Sequence, residues 1–377
     1  MPAPTTRELI SRYAARLEGP LLTDHAVVSP LGVWLLLALV APVADGEERQ
    51  RLEAALGTDD AARRAAELLA DPHPAVAAAV AVWDRHLGPS YDGWARTLPG
   101  AVERGPVPTQ AGADAWARER TRGMVETFPA EVDDLTALVL ASALATDISW
   151  SVALDETDGL LRVRNGVQLV AETEAAGPVA VAAPSSSSAL EVLSVVAAAD
   201  VEPERVLASA HEVAALLVGD DSPARRVPVA DLVDGHAWTV RERRELGSGP
   251  PEQEEWRTSL PAWSASGEHD LGGAPGMAEA FATLAGFARP EDRPVELRAR
   301  QAAVASYTRT GFRAAAVTGI AMRAAGLAPA QEVLVRRVEV LVDRPFAVLA
   351  RCSVRDGPRA WRGVPVFSAW VAEPFAG

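Results

Sequence analysis

The C-terminal part of the chain alternates apolar and polar side chains with the period of a β-strand. The stretches EVLVRRVEVLVDRPFAVLARCSVRD and WRGVPVFSAWVAEP are delimited by Asp356-Gly357 and Arg362-Gly363, which favour turns. The N-terminal part is different, because apolar residues there recur at helical spacing, as in residues 6–17. A chain with helices first and strands last is typical of the α+β class, and 377 residues are enough for a large buried core.

The same patterns predict further elements along the chain. A capped helix is expected over residues 6–17, a short strand over 25–30 leads into a buried helix, and a charged helix stops at Gly57. The remaining predictions are a strand over 75–83, a helix from Thr109 to Pro129, a central strand over 135–150, a hairpin tip at Ser185–Ser188, a helix over 203–218, and an exposed loop over 249–258 leading into a strand over 259–267.

The charge of the chain excludes several functions. The net charge of −15 argues against binding to nucleic acid, which requires a basic surface. All positive charge is arginine, so a lysine Schiff base, a P-loop lysine and a Ser-Lys dyad are excluded. The absence of lysine also indicates a biased genome composition. An acidic, soluble monomer is the simplest interpretation.

Cellular location is suggested by equally simple features. The single cysteine, Cys352, cannot form an internal disulfide, and its strand-like flanks predict a buried, unreactive thiol. No basic segment followed by an apolar run is present near the N-terminus, so we expect a cytoplasmic protein. The apolar run after Pro30 is too short to cross a membrane and predicts a buried helix.

Motifs of enzymes are missing from the sequence. It contains no GxSxG elbow, HExxH helix, CxxC pair, Walker loop or complete GxGxxG, and its six histidines are scattered. We therefore expect no metal and no cofactor, and we expect that the protein is not an enzyme unless its site is assembled from distant residues. Candidates for such a site are Trp238, Trp256, Trp263, Arg241, Arg243 and Arg244.

The stretch RTGFRAAAVTGIAMRAAGL, residues 309–327, fits neither a good helix nor a good strand. Written as a strand, it has one almost wholly apolar face, and the opposite face carries Arg313 and Arg323. The apolar face consists of Phe312, Ala314, Ala316, Thr318, Ile320 and Met322. Alanine and glycine have poor strand propensity, so the segment is also compatible with an exposed loop.

Five motifs in the same order along almost the whole chain resemble the serpins. They are VVSPLGVWLLLALVAPVADGEERQRLEAALG, AWARERTRGMV, LVLASALATDISW ending on Trp150, SLPAWSASGEHDL, and EVLVDRPFAVLARC followed by GVPVFSAWVAEP. The resemblance is weak over residues 156–175 and 207–255. Together with the composition it suggests a divergent bacterial, actinobacterial-looking member of this family.

The resemblance implies a single domain, residues 1–377, with three β-sheets, about eight or nine helices and an exposed reactive-centre loop at residues 309–334. In inhibitory serpins a serine or cysteine protease attacks this loop, and the cleaved loop enters the central sheet before the acyl-enzyme is hydrolysed. The hinge would comprise Arg309, Gly311, Phe312, Arg313, Ala314, Ala315, Ala316 and Thr318, and Trp150 would lie where insertion begins. The scissile region would fall among Met322, Arg323, Ala325 and Gly326.

Several residues depart from the serpin pattern. Arg309 and Arg313 replace acidic residues, and Phe312 replaces a small threonine, so insertion needs a preformed pocket for the ring. Ser142 stands where serpins have asparagine, and Gln301 where a histidine is usual. Two interpretations therefore remain open. The protein is either a protease inhibitor, or a non-inhibitory member that binds a small molecule or a protein, with an enzyme of specialised metabolism as a third alternative.

Overall fold

The computed structural model describes residues 3–85, 87–247, 250–287, 299–312 and 331–373. The chain forms two compact units. The first contains Met1–Thr146, Ala265–Ala305 and Ala350–Ala369, and the second contains Asp147–Ser264, Ser306–Leu349 and Trp370–Gly377. Helices and strands occur in both units, which confirms the α+β class.

The described residues contain eight α-helices, close to the number expected. They are α1 (Thr6–Leu21), α2 (Pro30–Val40), α3 (Gly46–Leu56), α4 (Ala61–Ala70), α5 (Pro89–Ala95), α6 (Gln110–Arg120), α7 (Pro203–Val218) and α8 (Met277–Ala285). None of them is both long enough and apolar enough to cross a membrane.

The strands of the described residues are also numbered in chain order. They are β1 (Ala26–Val28), β2 (Val76–Asp84), β3 (Glu103–Pro106), β4 (Leu138–Thr146), β5 (Ile148–Ser149), β6 (Asp155–Thr157), β7 (Leu160–Val163), β8 (Gly166–Thr173), β9 (Gly177–Pro184), β10 (Leu190–Val196), β11 (Arg225–Arg226), β12 (Trp238–Gly247), β13 (Glu252–Pro261), β14 (Trp263–Asp270), β15 (Arg300–Tyr307), β16 (Gly311–Phe312), β17 (Gln331–Leu341), β18 (Phe346–Cys352) and β19 (Pro365–Val371).

Local sequence signals explain how several helices of the first unit begin and end. The side chain of Thr5 accepts a hydrogen bond from the backbone of Glu8, and the Glu8 carboxylate accepts one from the backbone of Thr5, which forms a capping box for α1. The Ser29 hydroxyl caps α2, with Pro30 in its first turn. Gly57, at φ 77°, ends α3 in the left-handed conformation, as predicted.

The helix expected from Thr109 to Pro129 is shorter than predicted. It ends at Arg120, because Arg122 and Gly123 both adopt positive φ values, 55° and 79°, that a right-handed helix cannot contain. The Thr121 hydroxyl donates to the Ala117 carbonyl and accepts from the Val125 backbone, which stabilises the turn that follows. The remaining residues up to Pro129 are therefore not helical.

In the first unit, β4 pairs with β2 along one edge, and β2 pairs with β3 on its other side. Trp83, Trp116 and Phe128 pack together with small residues of α6, β2 and β4. The strand expected over 135–150 is divided into β4 and β5, which are separated by Asp147.

The second unit contains a five-stranded sheet in the order β12-β17-β13-β7-β6. The exposed loop expected over residues 249–258 is wrong, because β13 begins at Glu252 and pairs with both β17 and β7. Strand β12 was not predicted, since five consecutive residues in its middle, Arg241–Glu245, are charged. The hairpin predicted around Ser185–Ser188 is confirmed, with β9 antiparallel to β10.

Two strands of the first unit, β4 and β15, line one cavity but belong to different sheets. The described strands form four sheets, where three were expected.

Near the cavity between β4 and β15, the Gln301 side chain accepts a hydrogen bond from the Ser29 backbone at 2.7 Å and donates to the Ser29 carbonyl at 3.0 Å. The Ser29 hydroxyl donates to the Val366 carbonyl at 2.7 Å. Glutamine thus fixes the start of α2 from a position where serpins usually have histidine.

We expect Gln301→Ala to lower the free energy of unfolding by about 1–3 kcal/mol, because it leaves two buried backbone groups of Ser29 without a partner. The measurement is urea unfolding. The control is Gln253→Ala, at a partly exposed glutamine that makes a 3.4 Å bond to the Pro250 carbonyl. Equal effects of the two substitutions would contradict the role given to Gln301.

The three tyrosines of the chain are all buried: Tyr13, Tyr91 and Tyr307. Burial raises the pKa of each phenol above its ordinary value, and at Tyr91 the charge of Asp84 adds to the effect. The folded protein should therefore show no tyrosinate absorbance between about pH 9 and about pH 11. Stability should be lost as the pH rises above about 10, because only the unfolded chain releases these protons there. Titration of the folded protein near pH 10 would contradict this.

Candidate functional site

The residues predicted as a hinge begin with a very short strand of the second unit. Strand β16 comprises only Gly311 and Phe312. Phe312 lies opposite Tyr307 of β15 on one side and Ile148 of β5 on the other, and Gly311 lies opposite Ser149. The start of the predicted hinge is thus a strand with a neighbour on each side.

A tight turn connects β15 to β16. The Thr308 backbone donates to the Gly311 carbonyl at 2.8 Å, and the Thr308 hydroxyl accepts from the backbone of Gly311 at 3.3 Å. The Arg309 side chain lies at the exposed tip of the turn, while its carbonyl accepts from the Leu154 backbone at 2.8 Å. The arginine that replaces an acidic residue therefore does not have to be buried.

The ring of Phe312 is buried in an aromatic cluster, with 3% of its surface exposed. Its centroid lies 6.2 Å from that of Trp263. Tyr307 stacks on Trp263 at 6.3 Å and contacts Trp150 at 4.9 Å. These separations are typical of favourable aromatic pairs. The pocket that a large residue at this position needs therefore already exists.

Trp150 joins this cluster to the turn. Its indole Nε1 donates to the Thr308 carbonyl at 3.0 Å, and its backbone donates to the Thr310 carbonyl at 3.0 Å. Trp150 therefore contacts the residues just before β16, and its role where insertion begins stays a prediction.

Two polar atoms of the cluster have no hydrogen-bond partner within the described part of the chain, the Tyr307 hydroxyl and Nε1 of Trp263. Full burial raises the pKa of the Tyr307 phenol, so the group stays neutral. Ring packing therefore contributes more than hydrogen bonds to the position of Phe312.

Many of the predicted site residues cannot be placed. Arg313, Ala314, Ala315, Ala316, Thr318, Met322, Arg323, Ala325 and Gly326 lie outside the described residues. Of the hinge, only Arg309, Gly311 and Phe312 are described. The roles of the hinge and of the scissile region remain predictions.

A cavity of about 620 Å³ separates β4 from β15 in the first unit. Its lining includes the residues 138–144 of β4, 299–302 at the start of β15, and side chains of α2, α6 and α8. Within the described ranges, β4 forms a ladder only with β2, so its edge on the cavity side is unpaired. Among the described strands, none pairs with this edge of β4.

The strand that follows the predicted loop, β17, has a neighbour on each side over most of its length. Ten residues of β12 pair with it in antiparallel register, and eight residues of β13 pair with it in parallel register. Arg336 contacts Glu242 of β12 at 2.6 Å, and Arg337 contacts Glu255 of β13 at 2.6 Å. The C-terminal end of the loop is therefore fixed in the middle of a sheet.

The residues considered for an enzyme site are not gathered into one place. Arg241, Arg243 and Arg244 are exposed along β12. Nε1 of Trp238 donates to the Val233 carbonyl, and Trp263 belongs to the aromatic cluster. Among the described residues, no three histidine, cysteine, aspartate or glutamate side chains are arranged to hold a metal ion.

The single thiol is buried, in agreement with the sequence interpretation. Cys352 has no exposed surface, and burial raises the pKa of its thiol well above the ordinary value. A buried, protonated thiol is not a nucleophile.

Sequence reasoning missed the partners of Phe312. Tyr307 was not singled out, and Trp263 was considered only for an enzyme pocket. The alternation in RQAAVASY does place Tyr307 on the buried face of β15 with Gln301, Ala303 and Ala305. That pattern could have identified Tyr307 as a buried residue close in sequence to Phe312.

Comparison with known proteins identifies the fold. No family model and no curated protein sequence matches the chain. Solved structures do match. The thermophilic serpin tengpin in its native state has a TM-score of 0.67 and 15% identity over 97% of this chain and 93% of its own. Thyroxine-binding globulin in complex with thyroxine has a TM-score of 0.63 and 14% identity over 98% of each chain.

Two further structures agree. Human glycosylated kallistatin has a TM-score of 0.63 and 13% identity over 99% of this chain and 97% of its own. Serpin48 of the insect Tenebrio molitor has a TM-score of 0.59 and 13% identity over 96% of each chain. The chain therefore has the serpin fold, as the resemblance implied.

We expect Phe312→Ala to lower the free energy of unfolding by about 3–5 kcal/mol, because it removes a buried ring from the aromatic cluster. The measurement is urea unfolding. Val304→Ala, at a more exposed position of β15, is the matched control and should cost about 1 kcal/mol or less. A small effect of Phe312→Ala would show that the ring is not anchored in the cluster.

Proposed function

We propose that the protein inhibits a serine or cysteine protease by inserting its cleaved loop between β4 and β15. The observation that carries the proposal is that Gly311 and Phe312 already pair with β15 and β5, while β4 and β15 are unpaired with each other within the described residues. An unpaired strand edge favours the addition of a further strand, because its backbone groups gain hydrogen bonds.

The register of β16 predicts where later residues of the loop would go. Phe312 lies opposite Tyr307 of β15 and Ile148 of β5. If this antiparallel register continues, each step of two residues forward along the loop is a step of two residues backward along both neighbouring segments. Six residues further on, Thr318 would lie opposite Gln301 and Ser142. Ile320 would lie opposite Ala299 and Leu140.

The side chains at these positions suit the space that they would enter. The small Ala314 and Ala316 would lie opposite Ala305 and Ala303, both buried on β15. Thr318 would lie beside the polar Ser142 and Gln301, which line the cavity.

The next residue on the same face of the inserted loop is Ile320. It would lie beside Leu140, an apolar residue of the cavity lining. The alternation seen in the sequence therefore agrees in register with the lining of the gap.

The departures from the serpin pattern are compatible with this proposal. Phe312 is accommodated by Trp263, and Arg309 stays exposed at the turn. Strand β17 would stay in its sheet when the loop is cut, because it is paired on both sides. Strain relief would then come from filling the gap, and the protease's own nucleophile would supply the chemistry.

The proposal is tested by incubating the protein with trypsin, elastase and subtilisin. We expect an SDS-stable covalent complex with at least one protease, and an increase in Tm on the order of 10 °C or more after cleavage between residues 313 and 330. Cleavage without complex formation and without a rise in Tm would exclude inhibition by insertion.

Two neighbouring substitutions make the test specific for insertion. Ala316→Glu would place a carboxylate on the buried face of the inserted strand, whereas Ala315→Glu would place it on the opposite face. We expect Ala316→Glu to reduce the yield of covalent complex about tenfold or more and to turn the protein into a substrate, and Ala315→Glu to behave like the wild type. Equal behaviour of the two variants would contradict the proposed register.

A further inference from the structure

The cavity of the first unit is large before any strand enters it. Its volume of about 620 Å³ lies among α2, α8, β4 and β15, all within the same unit. Ligand sites in proteins commonly have volumes of about 300–1,000 Å³. Close-packed interiors rarely contain an empty space of this size, because each lining group loses its contacts.

Part of the lining of the cavity consists of large apolar side chains. Leu36 is the one residue of α2 that is not fully buried, and it lines the cavity together with Phe281 of α8. On β4, Leu138, Leu140 and Leu144 line it and are half-buried, whereas the alternate residues of the strand are buried. Large apolar side chains of the unit's interior therefore remain partly uncovered.

One hydroxyl group in the lining is free to bind. The Ser142 hydroxyl makes no hydrogen bond within the described part of the chain. The neighbouring Gln301 is different, since its amide bonds both backbone groups of Ser29. A hydrogen-bonding group beside large apolar side chains is an arrangement that orients a largely apolar ligand.

Both arginines of the lining already have partners. The Arg85 guanidinium donates to the carbonyls of Asp133 and Asp134, at 3.1 and 2.8 Å. Arg300 lies 4.0 Å from the carboxylate of Asp270. These arginines stand beside acidic residues, so the lining offers no uncompensated cation for an anionic ligand.

We propose that this cavity binds an uncharged, largely apolar small molecule whose single polar group bonds to the Ser142 hydroxyl. Ordered water binds poorly beside the side chains of Leu36, Leu140 and Phe281, because a buried water needs two to four polar partners and these side chains offer none. A flexible acyl or terpenoid alcohol has the required chemistry.

The inference does not rest on the proposed function, because the cavity is present in the uncut chain. It does predict a connection, since the ligand occupies the space that Thr318 and Ile320 would enter. Binding to the uncut protein and inhibition of a protease are separate measurements, so each can fail without the other.

The test uses the full uncut chain and the uncharged fluorescent dye Nile red. We expect saturable binding of one dye molecule with a blue-shifted emission. Decan-1-ol, decanoate and decylammonium share one chain and differ in the head group, and we expect the alcohol to displace the dye at about tenfold lower concentration than either ion. Absence of dye binding, or equal displacement by all three compounds, would overturn the proposal.

Variants locate the site. Leu36→Trp and Leu140→Trp each add a ring to the cavity and should abolish dye binding in a protein that still shows the wild-type circular dichroism. Leu246→Trp, at a position that is 81% exposed on β12, is the matched control and should bind normally. Ser142→Ala should keep dye binding and weaken displacement by decan-1-ol about fivefold or more. Normal dye binding by a folded Leu140→Trp protein would place the dye elsewhere.

Discussion

The constraint on which the rest of this structure depends is that, among the described residues, no backbone hydrogen bonds join β4 to β15. On the side away from the cavity β4 pairs with β2 and β15 with β14, and on the cavity side only Tyr307 at the end of β15 has a strand partner, Phe312. Backbone donors and acceptors away from water are costly when unpaired, so the fold has a reason to accept an additional strand. The bonds between Gln301 and Ser29 hold one side of this space to the start of α2.

The two ends of the segment that could fill the gap are held differently. At the N-terminal end, only Gly311 and Phe312 are paired, and the ring of Phe312 holds them in place through Trp263 and Tyr307. At the C-terminal end, β17 is paired on both sides and joined to its neighbours by Arg336 and Arg337. Under the proposed function, a cut between the two ends would free only the first end to move.

Where prediction from sequence succeeded, the signal was local. Thr5 with Glu8 marked the start of α1, and Gly57 marked the end of α3, because the atoms involved are within a few residues of each other. Prediction from sequence failed where the local structure depends on pairing with a segment that is distant in sequence. Five consecutive charged residues in β12, Arg241–Glu245, interrupt its alternation, and it is a strand because β17 lies beside it. The early end of α6 at Arg120 was missed because arginine, here Arg122, rarely adopts the positive φ that stops the helix.

The sequence by itself determined the α+β class, the order of the motifs that resemble serpins, and the alternation that makes residues 312–322 a possible strand. These properties depend on residue type and spacing alone. Only the tertiary structure decided that Phe312 has a pocket, because Trp263 reaches it from a distant part of the chain and Trp150 packs on the neighbouring Tyr307. It also decided that β4 and β15 are apart, since strand pairing between segments so far apart in sequence leaves no mark on either segment's own pattern.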